Sequence, residues 1–335
     1  MTSSDPAQRE RVRAVLIALV AGAAILALKA AAYYLTGSMA LQSDALESIV
    51  NVVAAAFGLG AVIFAGQPAD KDHPYGHGKM EYFAAAFEGG LISLAALVIF
   101  YESAMALARG VELKSLGLGL ALNLAAGALN GLLGWFLLNT GRRLKSKTLE
   151  ADGQHVLSDF YTTGGIFVGL MLVKISGYNW LDPVIAIAVA VLLAKTGVGL
   201  VRESAAALLD EEDSATIGKI VLGLNVLLKD GVEESGVITA HGLRAIRCGR
   251  YTHVDVHLVV PEYLPVAVAH DDAERFDKRM IETAGLEGEL HAHIDPCRRK
   301  YCARCTDSKC PIRAEPLRGV VALTVEEAVI AEPIE

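Results

Sequence analysis

The sequence predicts a helical membrane protein: six transmembrane α-helices followed by a C-terminal α/β domain on the cytoplasmic side. Three observations predict it. Hydrophobic residues make up 53% of the 335 positions and charged residues only 20%, which is too apolar for a disordered chain and unusual for a soluble enzyme. The apolar residues concentrate before residue 205, in runs that match the roughly 20 helical residues needed to cross a hydrocarbon core of about 30 Å. Beyond that point the pattern changes to short alternating segments and charged amphipathic ones.

Six runs qualify as spans: Val12–Leu35, Met39–Ala65, Tyr82–Ala108, Leu116–Leu138, His155–Val173 and Pro183–Val201. The first is too long for the core of an ordinary signal peptide and has no clear cleavage site before the second. Short breaks separate them at Thr36-Gly37-Ser38, at 110–115 and at Ser176-Gly177-Tyr178-Asn179. Asp182-Pro183 reads as a helix start, with the Asp as cap and the Pro at the first helical position.

Orientation follows from the basic residues near the span ends. One side carries Arg9, Arg11, Arg13, Lys71, Lys79, Arg142, Arg143, Lys145 and Lys147, and the other only Arg109, Lys114 and Lys174. The basic side is cytoplasmic, and an even number of spans puts both termini there. Lys+Arg number 30 against 38 Asp+Glu, a net charge of −8, so nucleic acid is not expected as a partner.

The rest reads as an open α/β sheet in the order αββαβ: a helix over Ala215–Lys229, strands over Val237–Cys248 and Arg250–Val260, an amphipathic helix over Val266–Ala284 and a short strand over Leu290–Ile294. No periodicity is evident after Pro311, so no regular structure is expected there. The expected divisions are an N-terminal cytoplasmic segment (1–11), a six-helix domain (12–205), the α/β domain (206–296) and a cysteine-containing tail (297–335).

Polar groups inside the membrane cost several kcal/mol unless paired, hydrated or bound. His155 and Asp159 are four residues apart in span five and share a helix face. Glu47 and Asn51 have the same spacing in span two, with Asp44 three residues earlier. Four N and O ligands from two helices could close a tetrahedral site for a divalent metal; taken alone, each pair also reads as an interhelical hydrogen bond or a cap. Between spans two and three, Asp70, His73 and His77 could form a three-ligand site, with Pro74, Gly76 and Gly78 letting the loop fold back, although an ordinary polar loop would look the same.

These motifs together resemble the cation diffusion facilitator family. The matching residues are Thr36-Gly37-Ser38, Pro74-Tyr75-Gly76-His77-Gly78-Lys79-Met80-Glu81, His155 and Asp159, Asp182-Pro183, and His293-Ile294-Asp295-Pro296. The resemblance spans roughly residues 10–297. It implies a homodimeric, proton-coupled exporter of divalent cations in a membrane, expected to be a bacterial inner membrane, with a metallochaperone-like (ferredoxin-like) cytoplasmic domain for regulation and dimerisation. It places the transport site on Glu47, Asn51, His155 and Asp159; a one-turn shift would substitute Asp44 and Ser48. It places the loop site on Asp70, His73 and His77, a cytoplasmic metal site on His241, His257, His293 and Asp295, and a domain-coupling charge pair on Lys79 and Asp210. Many zinc members carry Asp or His and then Asp in span two, so Glu47 and the neutral Asn51 are a departure that leaves the metal open.

Beyond the family core stands Cys297-x4-Cys302-x2-Cys305-x4-Cys310. Four thiols this close in a reducing compartment suggest a zinc or other soft-metal site, with an iron–sulfur cluster, a redox pair or an unliganded tail as alternatives; Cys248 stands alone and reads as structural. The expected function is export of Zn2+, or of Fe2+, Co2+, Ni2+, Mn2+ or Cd2+, from the cytoplasm in exchange for protons. A metal sensor without transport is distinguished by flux in sealed vesicles. An intramembrane metalloenzyme would need an open metal position and a free general base, and no HExxH-type motif is present.

Overall fold

Six helices of 27 to 31 residues fill the first part of the chain: α1 (Pro6–Thr36), α2 (Met39–Ala65), α3 (Met80–Arg109), α4 (Leu116–Leu144), α5 (Lys147–Ser176) and α6 (Leu181–Leu208). At 1.5 Å per residue each is about 40 Å or longer, enough to cross a bilayer with tilt. All six are apolar enough to span. Each expected span lies within one of them; the second coincides with α2, and the others are extended by up to about two turns at an end. The computed structural model describes residues 6–110, 116–319 and 321–331, so the expected break after Gly110 falls outside the described residues. The chain divides into two units, Met1–Leu209 and Asp210–Glu335.

In the first unit the residues Leu94, Leu97, Leu132, Trp135, Val191 and Leu192 point outward and are exposed, as lipid-facing side chains are. The helix pairs meet instead through small residues, which let backbones approach closely in a solvent that gives apolar contacts no advantage. Between α3 and α6, a Cβ on Gly89 would sit 2.8 Å from the Gly197 carbonyl; between α4 and α5, a Cβ on Gly153 would sit 2.4 Å from the Leu138 nitrogen. The inner layer of this unit packs Ala32, Leu41, Ile92, Ile99, Ile166, Leu170, Ala186 and Leu193 together.

The joint between α1 and α2 corrects one expectation. Asp182 does not cap its own helix, whose N-cap is Trp180. Its carboxylate turns to the start of α2, accepting from Ser38 Oγ at 2.6 Å and from the Met39 and Ala40 amides at 2.7 and 3.2 Å. Ser38 is the N-cap of α2 and accepts from the Leu41 amide, while Gly37 reverses the chain at φ 67°, a conformation open to glycine without a Cβ penalty. An isolated helix start leaves four amides without partners, and here a remote buried carboxylate supplies the acceptor. Asp182→Ala is therefore expected to cost about 2–3 kcal/mol. It should appear as a lowered thermal midpoint in detergent, partly restored in Asp182→Asn; an unchanged midpoint would contradict this role.

The second unit begins with α7 (Ser214–Leu228), capped by the Asp213 carboxylate on the Ala215 and Thr216 amides, and a short α8 (Val232–Ser235). Strand β1 (Thr239–Cys248) pairs antiparallel with β2 (Tyr251–Val260), and β2 pairs parallel with β3 (Glu287–Pro296) in the order β1-β2-β3. A parallel return needs a crossover, supplied by α9 (Val266–Thr283), whose Ala269, Ala273, Phe276 and Met280 form its buried stripe. Strand β3 is longer than expected because it pairs with β2 residue for residue from Glu287 to Pro296, so its polar ends are held by the ladder and not by apolar burial.

The expectation of no regular structure after Pro311 is corrected as well. A helix α10 (Val325–Val329) carries a capping box, with Thr324 and Glu327 each bonding the other's backbone. Leu323 and Ala328 enter the same core as Ile217, Leu224, Val254 and Phe276. The stretch 320–331 is mostly apolar, but a five-residue helix is too short to establish a helical period, so its apolar side chains gave no signal of the core they fill.

Candidate metal centres

Helices α2 and α5 bring Glu47, His155 and Asp159 together, with one ligand atom from each inside 4.8 Å of the others. All three are buried, Asp159 completely. Asn51 lies between them: its amide nitrogen donates to Asp159 Oδ2 at 2.5 Å, and its oxygen faces His155 Nε2 at 2.8 Å. His155 Nδ1 is 3.9 Å from Asp159 Oδ1. Glu47 Oε2 and Asp159 Oδ1 are buried without a hydrogen-bond partner. Two buried acceptor oxygens on neighbouring carboxylates, beside an imidazole, form a donor set for a divalent cation or a proton. The i, i+4 spacing on each helix puts both residues of a pair on the same face.

The structure adds charged neighbours that the motif reading passed over. Lys29 on α1 is fully buried against Asp44 on α2, Nζ to Oδ1 at 2.7 Å, and Thr163 on α5 also donates to Asp44 at 3.3 Å. Asp44 therefore belongs to an ion pair one turn from Glu47. Toward the other end of α5, Glu88 on α3 is buried and Asp152 interacts electrostatically with it, with His155 and with Asp159. A gap of about 10 Å³ lies beside Ser48, Asn51, Asn130 and Asp152, its other walls being apolar side chains such as Ile25 and Leu133. A lysine or glutamate in the middle of an apolar run is itself a signal, and it was available at positions 29 and 88.

In the α2–α3 loop Asp70, His73 and His77 also form a group within 4.8 Å. Asp70 Oδ1 accepts from the Asp72 and His73 amides at 2.9 and 2.7 Å, an Asx turn, and lies 3.1 Å from His73 Nδ1. His77 Nε2 is 3.4 Å from Asp70 Oδ2. The His73 backbone N–H bonded to Asp70 holds its carboxyl below the usual carboxylate range, with the His73 side chain adding to this against a small burial penalty. Gly76, at φ 81°, provides the turn that returns the chain from His73 to His77. His77 Nδ1 is buried without a partner.

On the sheet, His241, His257 and His293 stand side by side in register across β1, β2 and β3. His241, His257 and Asp295 bring their ligand atoms within 4.8 Å, with Asp295 Oδ2 3.0 Å from His241 Nε2 and 2.9 Å from His257 Nδ1. His293 meets the His257 ring edge-on and reaches Asp295 at 3.8 Å, but is 63% exposed, so it stands beside the group of three and not inside it. The register shift at Gly242, φ 62°, aims His241 inward. Burial pushes the Asp295 carboxyl up, but the His257 hydrogen bond and the charges of His257, His293 and His241 outweigh it and hold it below the usual range. His253, on the same strand as His257, pairs with Glu289 instead, at 2.8 Å.

Cys297, Cys302, Cys305 and Cys310 are all free thiols and line one pocket. Lys79 stands at the N-cap of α3 in the first unit, and Asp210 opens the second with φ 59°.

Comparison with known proteins bears on what these centres serve. The profile of the cation efflux transmembrane domain matches residues 15–209, and that of the cation efflux protein cytoplasmic domain matches 228–297. An uncharacterized transporter of Synechocystis sp., sll1263, is 37% identical over 281 residues, covering 84% of this chain and 89% of the relative. The cation-efflux pump FieF of Serratia proteamaculans is 29% identical over 299 residues, 88% of this chain and 95% of the pump. FieF of Salmonella newport is 28% identical over 291 residues, 85% and 92%. Six spanning helices, a sheet domain behind them and matches that run along both units make this chain a cation efflux transporter of the cation diffusion facilitator family.

Proposed function

We propose that the protein exports a divalent transition metal, with Zn2+ the first candidate, from the cytoplasm in exchange for protons. The observation that supports it most is the pair of unpartnered buried oxygens, Glu47 Oε2 and Asp159 Oδ1, beside His155. In water these groups would be solvated; in the membrane they need a cation or a proton. Metal and proton therefore compete for the same atoms, and alternating exposure of the site to the two sides makes their exchange compulsory. Asn51 would hold His155 and Asp159 in place and offer its amide oxygen as the fourth ligand. Glu88 and Asp152 lie nearer the start of α5 and would relay the ion from the cytoplasmic side. Lys29 and Asp44 close the opposite end of the polar column.

The loop group at Asp70, His73 and His77 and the sheet group at His241, His257 and Asp295 would bind metal outside the membrane. In this reading His293 joins when an ion is present. Lys79 and Asp210 would couple the two units, and the protein would act as a homodimer in a bacterial inner membrane with both termini in the cytoplasm. The test is uptake into inverted membrane vesicles, with Zn2+, Fe2+, Co2+, Ni2+, Mn2+ and Cd2+ compared side by side. Accumulation of a transition metal supports the proposal. Binding without accumulation would make the protein a sensor.

Two expected results follow here. Asn51→Asp removes the donor to Asp159 and adds a third anion, so the metal preference in the vesicle panel should change while the thermal midpoint moves little; an unchanged profile would put Asn51 outside the site. His257→Ala should weaken metal binding at the sheet group more than about tenfold, since even outer-shell partners of metal ligands typically contribute that much. Calorimetry on the full chain in detergent should lose that binding event, and an identical isotherm would remove the sheet group as a metal site.

A further inference from the structure

The matched cytoplasmic domain ends at Cys297 and the other three cysteines of the run lie beyond it, so neither the family match nor the transport site accounts for the set. Cys297 extends β3: its amide donates to the Val260 carbonyl at 2.8 Å, and its Sγ accepts from the Glu262 amide at 3.4 Å. A short 3-10 turn at Arg299–Tyr301 then brings the chain back, with the Cys302 and Cys305 amides donating hydrogen bonds to the Arg299 and Tyr301 carbonyls. Cys305 is buried against Val232, Ile238 and Val259. All four thiols line a single pocket of about 370 Å³, together with Arg298, Arg299 and Arg313.

The loop around this pocket is built. The Arg313 guanidinium donates to the carbonyls of Cys302, Cys305, Asp307 and Glu315 at 2.6 to 3.3 Å. Thr306 Oγ1 accepts from the Val232 amide at 2.8 Å, and Tyr263 donates to Asp307 at 2.5 Å. Apolar packing accounts for Cys305 and part of Cys297, but not for a loop held at this many points by polar contacts with all four cysteines lining one pocket. Four thiolates would carry four negative charges, which a divalent ion halves and the three arginines offset further.

We infer that Cys297, Cys302, Cys305 and Cys310 form a separate four-cysteinate centre for a thiophilic transition metal. The sulfurs are not among the groups whose ligand atoms already lie within 4.8 Å of one another. A tetrahedral zinc thiolate, with Zn–S of about 2.3 Å, holds its sulfurs about 3.8 Å apart, so a single ion would draw the loop inward. An iron–sulfur cluster would bridge the same four thiolates at wider spacing. In either case the occupant pins the segment after Cys297 onto α8 and the β2–α9 turn, from which it runs on to α10. The donors here are softer than the oxygen and imidazole ligands of the membrane site, so the two should take different metals from a mixture. The inference does not rest on the transport site being correctly placed.

The experiment uses the full chain in detergent under reducing, anaerobic conditions. In the first arm Zn2+ is added and the thiols are challenged with a maleimide, with modified cysteines located by mass spectrometry. Protection of the three partly exposed thiols, Cys297, Cys302 and Cys310, supports the centre. Equal modification rates with and without Zn2+ would overturn it. In the second arm Co2+ replaces Zn2+; a thiolate-to-metal charge-transfer band that disappears in Cys310→Ser supports it. Cys310 is, like Cys297 and Cys302, partly exposed, so its variant tests the ligand without emptying the buried position of Cys305. In the third arm iron and sulfide are supplied, and a visible chromophore with acid-labile sulfide that requires the same cysteines would assign the occupant as a cluster. Absence of protection, charge-transfer band and chromophore together would leave these residues as unliganded thiols.

Discussion

Asp159→Asn should abolish metal flux, lowering it by at least about 100-fold, while the helices remain folded. Asp159 is completely buried, with Oδ1 unpartnered and Oδ2 bonded to Asn51. Truncating one partner of a buried charge pair weakens binding by several kcal/mol, and every 1.4 kcal/mol is about tenfold. The amide keeps the volume and can turn its oxygen to the Asn51 donor, so packing is preserved. It also removes one of two neighbouring anions, Glu47 being the other, so the thermal midpoint of the metal-free protein should stay level or rise. Flux at the wild-type rate in sealed vesicles would place the cation elsewhere. A collapse of the midpoint would make Asp159 a structural residue.

The second large effect concerns Lys29 and Asp44, which form an ion pair at 2.7 Å with neither side chain exposed. Lys29→Met should destabilise the protein by about 3–5 kcal/mol, because Asp44 is left charged and buried with only Thr163 to bond it. The double variant Lys29→Met/Asp44→Leu removes both charges at similar volume and should recover most of that loss, as buried ion pairs replaced by apolar residues commonly do. The measurement is thermal unfolding of wild type, both singles and the double in one detergent. If the double is no more stable than Lys29→Met, the two residues are not acting as a pair.

The sequence made the architecture legible where physics is repetitive. Six apolar runs, Gly37-Ser38 at a turn, and Phe276 and Met280 on an amphipathic stripe each have a periodic or local signature. Pairing at i, i+4 was enough to identify His155 with Asp159 and Glu47 with Asn51 as faces, and the fold then turned those faces toward each other. What could not be read depends on contacts between distant residues. Asp182 looked like a cap for its own helix because capping is normally local, and only the packed structure shows its carboxylate on α2, 144 positions from Ser38. His241 and Asp295, put in one site by the family resemblance and not by the strand pattern, meet across three strands after a register shift that no alternation signals. Lys29 was visible as an intramembrane charge, but its partner could be known only once α1 lay against α2. The folded-back α10 is only five residues long, too short for its apolar residues to show a helical period.

The central claim is that metal and protons exchange at Glu47, His155 and Asp159. The measurement is proton movement during metal entry, with purified protein in liposomes holding a pH-sensitive dye and the metal trapped by an internal chelator. The account predicts that adding Zn2+ outside makes the lumen more alkaline as the metal enters and protons leave. An imposed outward proton gradient should speed entry, and Asp159→Asn should eliminate both signals together. Metal entry with no proton signal, unaffected by the gradient, would contradict it.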